Sequence, residues 1–321
     1  GDLRKMNTLL AYADQCEDKN AVVKYTALTR FFRAFFYFEK VKRFGDVPWY
    51  DVELGSADES LYKARDSREL VMTHMIEDID YAIANLPDEK KETSSPYRAN
   101  KWAAMALKAQ FCLYEGTYRK YHQLSLAGHD YTYYLQQAAA AAQELMNTGP
   151  YKLYSTGHPE KDYLTLFAEE NANSDEYIFA IKFDYGLNIY HNATAHTLVP
   201  TQGRPGLTRK MVNTYLKKDG TAFTNQTGWQ EMSFIDEVKD RDPRLAQSIR
   251  TPGYTRIGQT KVLSPDLSIS VPGYQPVKFV QDPTASGGNV DRNDRSTCDL
   301  PVYRYAEVLL NYAEACIALG E

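Results

Sequence analysis

No run of apolar residues in this chain approaches the roughly 18 that a membrane-crossing helix needs. Basic charge is not in excess: the formal net charge is -5, which argues against a nucleic-acid partner, whose phosphates call for a basic face. Cysteine is scarce, at Cys16, Cys112, Cys298 and Cys316. No pair has C-x-x-C spacing, and Cys112 and Cys316 sit among apolar helical positions, so the cysteines read as buried free thiols without a metal or redox role. Catalytic signatures are missing too: there is no H-E-x-x-H, no G-x-S-x-G and no P-loop. His191 and His196 are five residues apart, which does not align them on one helix face, and they read as loop histidines. Asp291, Asn293 and Asp294 resemble part of a calcium loop but lack its glycine and its distal glutamate. The expectation is a protein with no cofactor, no metal and no catalytic residues. Paired carboxylates for glycoside hydrolysis stay open, because 42 acidic residues offer too many pairs to single one out. An initiator methionine and a signal segment are also lacking at Gly1-Asp2-Leu3-Arg4, and the chain stops at Gly320-Glu321 directly after a helical pattern. Both ends of the natural protein are therefore expected to lie outside this sequence.

What is present is a foldable composition, 43% hydrophobic and 25% charged, with a strong bias towards tyrosine. There are 25 Tyr against 13 Phe and 3 Trp. Tyrosine combines a broad apolar face with a polar tip, which suits both helix packing and wet ligand surfaces. The first half reads as helices. Tyr25, Leu28, Phe32, Phe35 and Phe36 recur at helical spacing between Ala21 and about Arg43, and Phe31, Tyr37 and Phe38 lie on other faces, so this helix is expected to be contacted from several sides. A turn follows at Phe44-Gly45-Asp46-Val47-Pro48, where Gly45 supplies a special backbone angle and Asp46 bonds its own turn amides. Asp66 with Glu69 resembles a capping box for a helix whose stripe is Met72, Met75, Ile76, Ile79, Ile83 and Leu86, stopped by Pro87. Two further helices are expected over about Asn100–Tyr118 and Tyr134–Asn147. Ala103, Ala106, Ala138 and Ala142 stand where such helices would touch, as in helical hairpins of the tetratricopeptide kind. Tyr303–Leu319 reads as the first helix of another hairpin.

Between about Tyr185 and Pro301 the texture changes, and 19 of the 32 glycines and prolines fall there. A long stretch of this kind inside a helical protein more often displays functional loops than serves as linker. Tyr177–Ile181 is a short β-like run. The expected fold is mostly α, a tetratricopeptide-like hairpin scaffold with a long loop-rich insertion carrying little β structure. It is read as one domain over 1–321: a helical scaffold over about 1–184, a ligand-facing region over about 185–300 and the start of a further hairpin over about 301–321.

Three segments resemble a known family. Arg33-Ala34-Phe35-Phe36-Tyr37-Phe38 followed by Arg43-Phe44-Gly45-Asp46-Val47-Pro48 looks like the aromatic helix and turn of the SusD/RagB family. Asp240-Arg241-Asp242-Pro243-Arg244-Leu245 is similar to its central Asp-Pro-Arg element, and Pro301 to Ala315 is similar to its R-Y-A-E-V-L-L-x-Y-A-E-A helix. Their order and wide spacing agree as well. The motif residues themselves read as scaffold: Asp242 and Arg244 as a cap for the preceding helix or as partners of neighbours, Arg304 as a partner of Glu307 one turn on. The resemblance implies a lipid-anchored protein exposed on the outer membrane of a Bacteroidetes-type bacterium, with its anchor cysteine outside this chain. It also implies a SusC-like TonB-dependent barrel as partner, an oligosaccharide or peptide as ligand, and no enzymatic activity.

A sugar site needs flat aromatic faces for C–H patches and polar side chains for hydroxyls, carried on loops. Three groups qualify: Tyr185, Asn188, Tyr190 and His191; Trp229 with its neighbours Gly228 and Gln230; and Tyr254 with Arg256. Each could instead anchor its loop to the scaffold. Trp102 and Trp49 read as core. Two alternatives to a glycan-binding protein follow: a glycoside hydrolase, with two carboxyl groups across a cleft, and a helical-repeat scaffold that binds only protein or peptide, with its loop aromatics buried.

Overall fold

The computed structural model describes residues 1–88, 96–285 and 288–320; Glu321, the last residue of the expected final hairpin segment, lies outside them. Along the chain run α1 (Asp2–Tyr12), α2 (Lys19–Phe44), α3 (Arg68–Asn85), α4 (Lys101–Tyr121), α5 (Tyr131–Thr148), α6 (Asp162–Ala168), β1 (Tyr177–Ile181), α7 (Ala193–Leu198), α8 (Arg209–Thr214), α9 (Phe234–Glu237), α10 (Pro243–Ala246), β2 (Leu300–Arg304) and α11 (Tyr305–Leu319). The chain divides into two compact units. One comprises Gly1–Lys152, Glu176–Phe179 and the segment from Tyr303 onward; the other comprises Leu153–Asp175 and Ala180–Val302.

The first unit is the helical scaffold, built of tetratricopeptide-like hairpins. Its helices start on side-chain caps that satisfy otherwise orphaned amides: Asp18 for α2, Ser67 for α3, Asn100 for α4 and Asp130 for α5. The cap of α3 differs from the expected box. Asp66 is taken by the preceding turn, where it accepts from the Trp49 amide at 2.7 Å and pairs with Lys63, so Ser67 caps the helix instead. Asp46 differs too. Its Oδ1 accepts from the Arg68 amide at 2.8 Å, which ties the turn after α2 to the start of α3. Gly45, at φ +68°, holds the left-handed geometry that a side chain would strain.

Successive long helices pack on one another, and α11 returns to pack against α5 and α4. Ala103, Ala106, Ala138 and Ala142 are buried, which lets the axes approach. Gly116 of α4 likewise leaves room for α5, since a Cβ there would lie 2.7 Å from Leu135 Cγ. Trp102 and Trp49 are core residues, and Trp49 stacks between Tyr37 and His74 at centroid distances of 4.2 and 4.8 Å. Buried charges are paired, as desolvation requires. Arg33 holds Asp78 through two hydrogen bonds of 2.6 and 2.8 Å, and fully buried Glu115 lies between Arg68 and Arg119.

The strand expected at Tyr177–Ile181 is present and pairs with β2. The helix expected from Tyr303 starts at Tyr305, because Leu300–Arg304 is extended. Arg304 pairs with Glu176, while Glu307 accepts from Gln110 at 2.7 Å and still feels the Arg304 charge.

The second unit is loop-rich, its helices four to seven residues long. A small core of Val212, Leu245 and Ile249, flanked by Leu207, Tyr215, Phe234, Val238 and Tyr274, gathers its central loops. Asp242 caps the helix that follows it, α10, and grips Arg244 directly, in place of the expected cap on a preceding helix. All four cysteines are free; Cys112 and Cys298 are buried as expected, but Cys316 is half-buried and Cys16, in the connection between α1 and α2, is exposed.

Candidate functional site

Trp229 opens a single 3-10 turn, Trp229–Glu231, that is launched by Gly228 at φ +75°. Its position is built from the Asp-Pro-Arg element outward. Buried Arg241 donates to the carbonyls of Glu237, Val212 and Tyr215 at 2.7, 2.8 and 2.7 Å, which pins α8 to α9. The same guanidinium lies 3.8 Å from the ring centre of Phe223, and Phe223 meets Trp229 edge to face at 6.2 Å. Arg209 completes the frame: its Nη2 donates to the Trp229 carbonyl at 3.1 Å, and its Nε donates to Glu237 at 3.2 Å. The indole is thus fixed by its neighbours while staying half exposed, and few rotamers need to be frozen when something binds.

Two hollows meet here. One, of about 610 Å³, is lined by Trp229 with Arg209, Lys210, Asn213, Thr224 and Gln230 among its walls. The other, of about 560 Å³, shares Arg209 and Gln230 and adds Phe234, Glu237 and Tyr274. Tyr274 donates to the second oxygen of Glu237 at 2.7 Å. Burial, with that hydrogen bond to a carboxylate, pushes the Tyr274 hydroxyl up to about 12, so it stays a donor. Both volumes suit a small saccharide unit.

The other two candidate groups are built differently. Asp184 and Ile189 exchange backbone hydrogen bonds around a tight turn, with Asn188 left-handed at φ +55°. Tyr185 and Tyr190 lie side by side at 6.4 Å, and Arg295 sits 4.6 Å from the Tyr185 ring. His191 is committed to the fold. Its Nε2 donates to the Cys298 carbonyl at 2.8 Å and its Nδ1 accepts from the Ala193 amide. Burial holds its pKa below the usual histidine value, consistent with that neutral tautomer. Tyr254 and Arg256 are 8% and 7% exposed. Arg256 grips Asp291 through two bonds of 2.6 and 3.0 Å. Both residues line a hollow of about 520 Å³ beside Lys161 and Leu164. This hollow shares no lining residue with those at Trp229.

Sequence reasoning singled out Trp229 but not Arg209, Lys210 or Tyr274. They lie 19 to 45 residues away along the chain, in no motif, and only folding brings them to the indole.

Comparison with known proteins follows this geometry. A family model described as "SusD family" matches residues 166–321, and one described as "Starch-binding associating with outer membrane" matches residues 2–113. A SusD-like protein, P2, from Formosa agariphila is 26% identical over 309 residues, covering 93% of this chain and 53% of its own. A SusD-like protein of Bacteroides fragilis superposes with TM-score 0.75 at 22% identity, over 99% of this chain and 62% of that one. A SusD-like carbohydrate-binding protein of the same organism gives 0.73 at 22%, over 99% and 60%. The chain thus spans about half the length of its curated relative, 53%, and about three-fifths of these solved chains.

Proposed function

We propose, on the premise that this chain belongs to the SusD/RagB family, that it binds oligosaccharide without catalysis and that Trp229 is the platform. It acts as one SusD-like domain, held at the cell surface on the outer membrane by a lipid anchor. There it presents glycan to a SusC-like TonB-dependent barrel for import. The observation that carries the ligand assignment is the half-exposed, pre-positioned indole that walls a hollow bordered by Gln230, Asn213 and Thr224. A flat ring offers an apolar face to sugar C–H groups, and the amides and hydroxyl serve the sugar oxygens. The carbohydrate-binding relative and the starch-binding family description support the same reading. Of the other candidates, Tyr185, Asn188 and Tyr190 offer an accessory surface, whereas His191, Tyr254 and Arg256 are engaged in holding loops.

Within the hollows at Trp229, Glu237 is buried and held by Arg209 and Tyr274, which gives it a positioning role in this reading. Affinity electrophoresis through gels containing soluble polysaccharides tests the assignment. At least one glycan should retard the chain, Trp229→Ala should abolish the retardation while leaving the melting temperature unchanged, and no reducing ends should be released on incubation. Equal retardation of the wild-type chain and the variant would move the site away from the indole.

A further inference from the structure

We infer that the Trp229 hollow selects an anionic saccharide, one bearing a carboxylate or a sulfate ester; this rests on the glycan-binding reading above. The chain as a whole carries more acid than base, 42 residues against 37. The walls of the 610 Å³ hollow reverse that balance: they hold Arg209 and Lys210 and no carboxylate. The two cations are not equivalent. Arg209 already faces Glu237, which belongs to the neighbouring hollow, and it serves to fix the indole. Lys210 is exposed and has no acidic partner among the described residues. An uncommitted ammonium beside an aromatic wall and a set of neutral hydrogen-bonding groups recognises a sugar that brings its own negative charge. The ring takes the C–H face, Gln230, Asn213 and Thr224 take hydroxyls, and Lys210 takes the anion in a charge-assisted hydrogen bond. Lysine suits this role as a flexible point charge that demands no fixed planar geometry of its partner.

The same net negative charge makes the test clean, because a chain of charge -5 is repelled by a polyanion unless a local site overcomes the repulsion. Affinity electrophoresis is run on the intact chain through gels containing polygalacturonate, a sulfated galactan or a neutral galactan. The wild-type chain, Lys210→Gln, Lys210→Glu and Trp229→Ala are compared. At least one acidic polymer should retard the wild-type chain more than the neutral one does, and which of the two does so identifies the anion. Lys210→Gln should weaken that retention about tenfold, in keeping with the loss of a hydrogen bond to a charged group, and Lys210→Glu should weaken it further. Raising salt from about 20 to about 200 mM should weaken acidic retention and leave neutral retention unchanged. If the neutral polymer is held as well as the acidic ones, or if Lys210→Glu is silent, the inference falls. The binding reading then survives provided Trp229→Ala still abolishes retention. If no polymer retards the wild-type chain, both fall.

Discussion

Four hydrogen bonds converge on the carboxylate of Glu69: the His129 amide at 2.9 Å, the His129 ring at 2.8 Å, Arg119 at 2.7 Å and the Tyr134 hydroxyl at 3.1 Å. Burial alone would raise this carboxyl, but the bonds from His129 and Arg119 outweigh it and hold the pKa below the ordinary glutamate value. A carboxyl depressed in the folded state binds its proton more weakly there than in the unfolded chain. Its stabilising contribution is therefore fully present above the unfolded pKa of about 4.3 and is lost as pH falls through the folded value. Glu69→Gln should cost about 1–3 kcal/mol at pH 7 and should flatten part of the decline in urea midpoint below about pH 4. An unchanged acid limb would mean that other carboxylates carry it. The residue scale is also where sequence reading was weakest. Glu69 looked like the second half of a capping box, and Asp46 like the owner of its own turn. Both are engaged by partners distant in sequence, which no local pattern announces. As a candidate, Trp229 stood out because it is the lone tryptophan of the loop-rich half; Lys210, proposed here as its partner, is one exposed lysine among many and carries no signal in the sequence.

At the scale of elements, the long helices were readable as helices because each is long enough to repeat a period several times. In α2, however, the expected stripe of Tyr25, Leu28, Phe32, Phe35 and Phe36 is exposed or half-buried. The buried face is Ala27, Phe31, Ala34, Tyr37, Phe38 and Val41, because so many aromatic residues fill every face that no single stripe stands out. Met72, Met75, Ile76 and Ile79 of α3 are all buried, as the 3.6-residue period requires. Helix α1 escaped for the opposite reason. Its Leu3, Met6 and Leu10 stand at helical spacing and are half-buried, but eleven residues repeat that stripe only twice. The one residue it fully buries is polar Asn7, whose amide donates to the carbonyls of Tyr50 and Val52. Helices α7 to α10 are four to six residues long, too short for a period to show. Helix pairing yields its own prediction. Alanine is a better helix former than glycine by about 1 kcal/mol, yet at Gly116 the new Cβ would meet buried Leu135 at 2.7 Å, with the Leu135 backbone nitrogen at 3.1 Å. Overpacking costs about 1–3 kcal/mol, so Gly116→Ala should destabilise despite the propensity gain. Leu135→Ala alone should cost about 2–5 kcal/mol by opening a cavity. In a urea-denaturation double-mutant cycle the pair should cost less than the sum of the singles, because each change relieves the other. Strict additivity would show that the helix axes move apart at no cost.

At the scale of the molecule, the scaffold unit is assembled from segments far apart in the chain: its last helix returns after the whole loop-rich unit has been threaded. Helix α11 is tied to α4 and α5 by Gln110 to Glu307 at 2.7 Å, by Lys120 to the Ala318 carbonyl at 2.6 Å and by Gln143 to Tyr312 at 3.2 Å. It also brings buried Val308, Ala315 and Ala318, with Tyr303 just before it. Burying one large side chain contributes about 1.5–3 kcal/mol, so Tyr303, Val308 and the two alanines together contribute about 4–6 kcal/mol on that scale. Whole domains are commonly stable by only about 5–15 kcal/mol. A chain ending at Val302 should therefore lose most of the stability of its helical unit and show a lower and broader thermal transition by circular dichroism at 222 nm. Leu310→Ser supplies the control. This side chain is on the same helix but is exposed, and its replacement should shift stability by no more than about 0.5 kcal/mol. If the shortened chain melts where the full chain does, the first five helices hold together without α11, and its packing against α5 follows from a scaffold already formed.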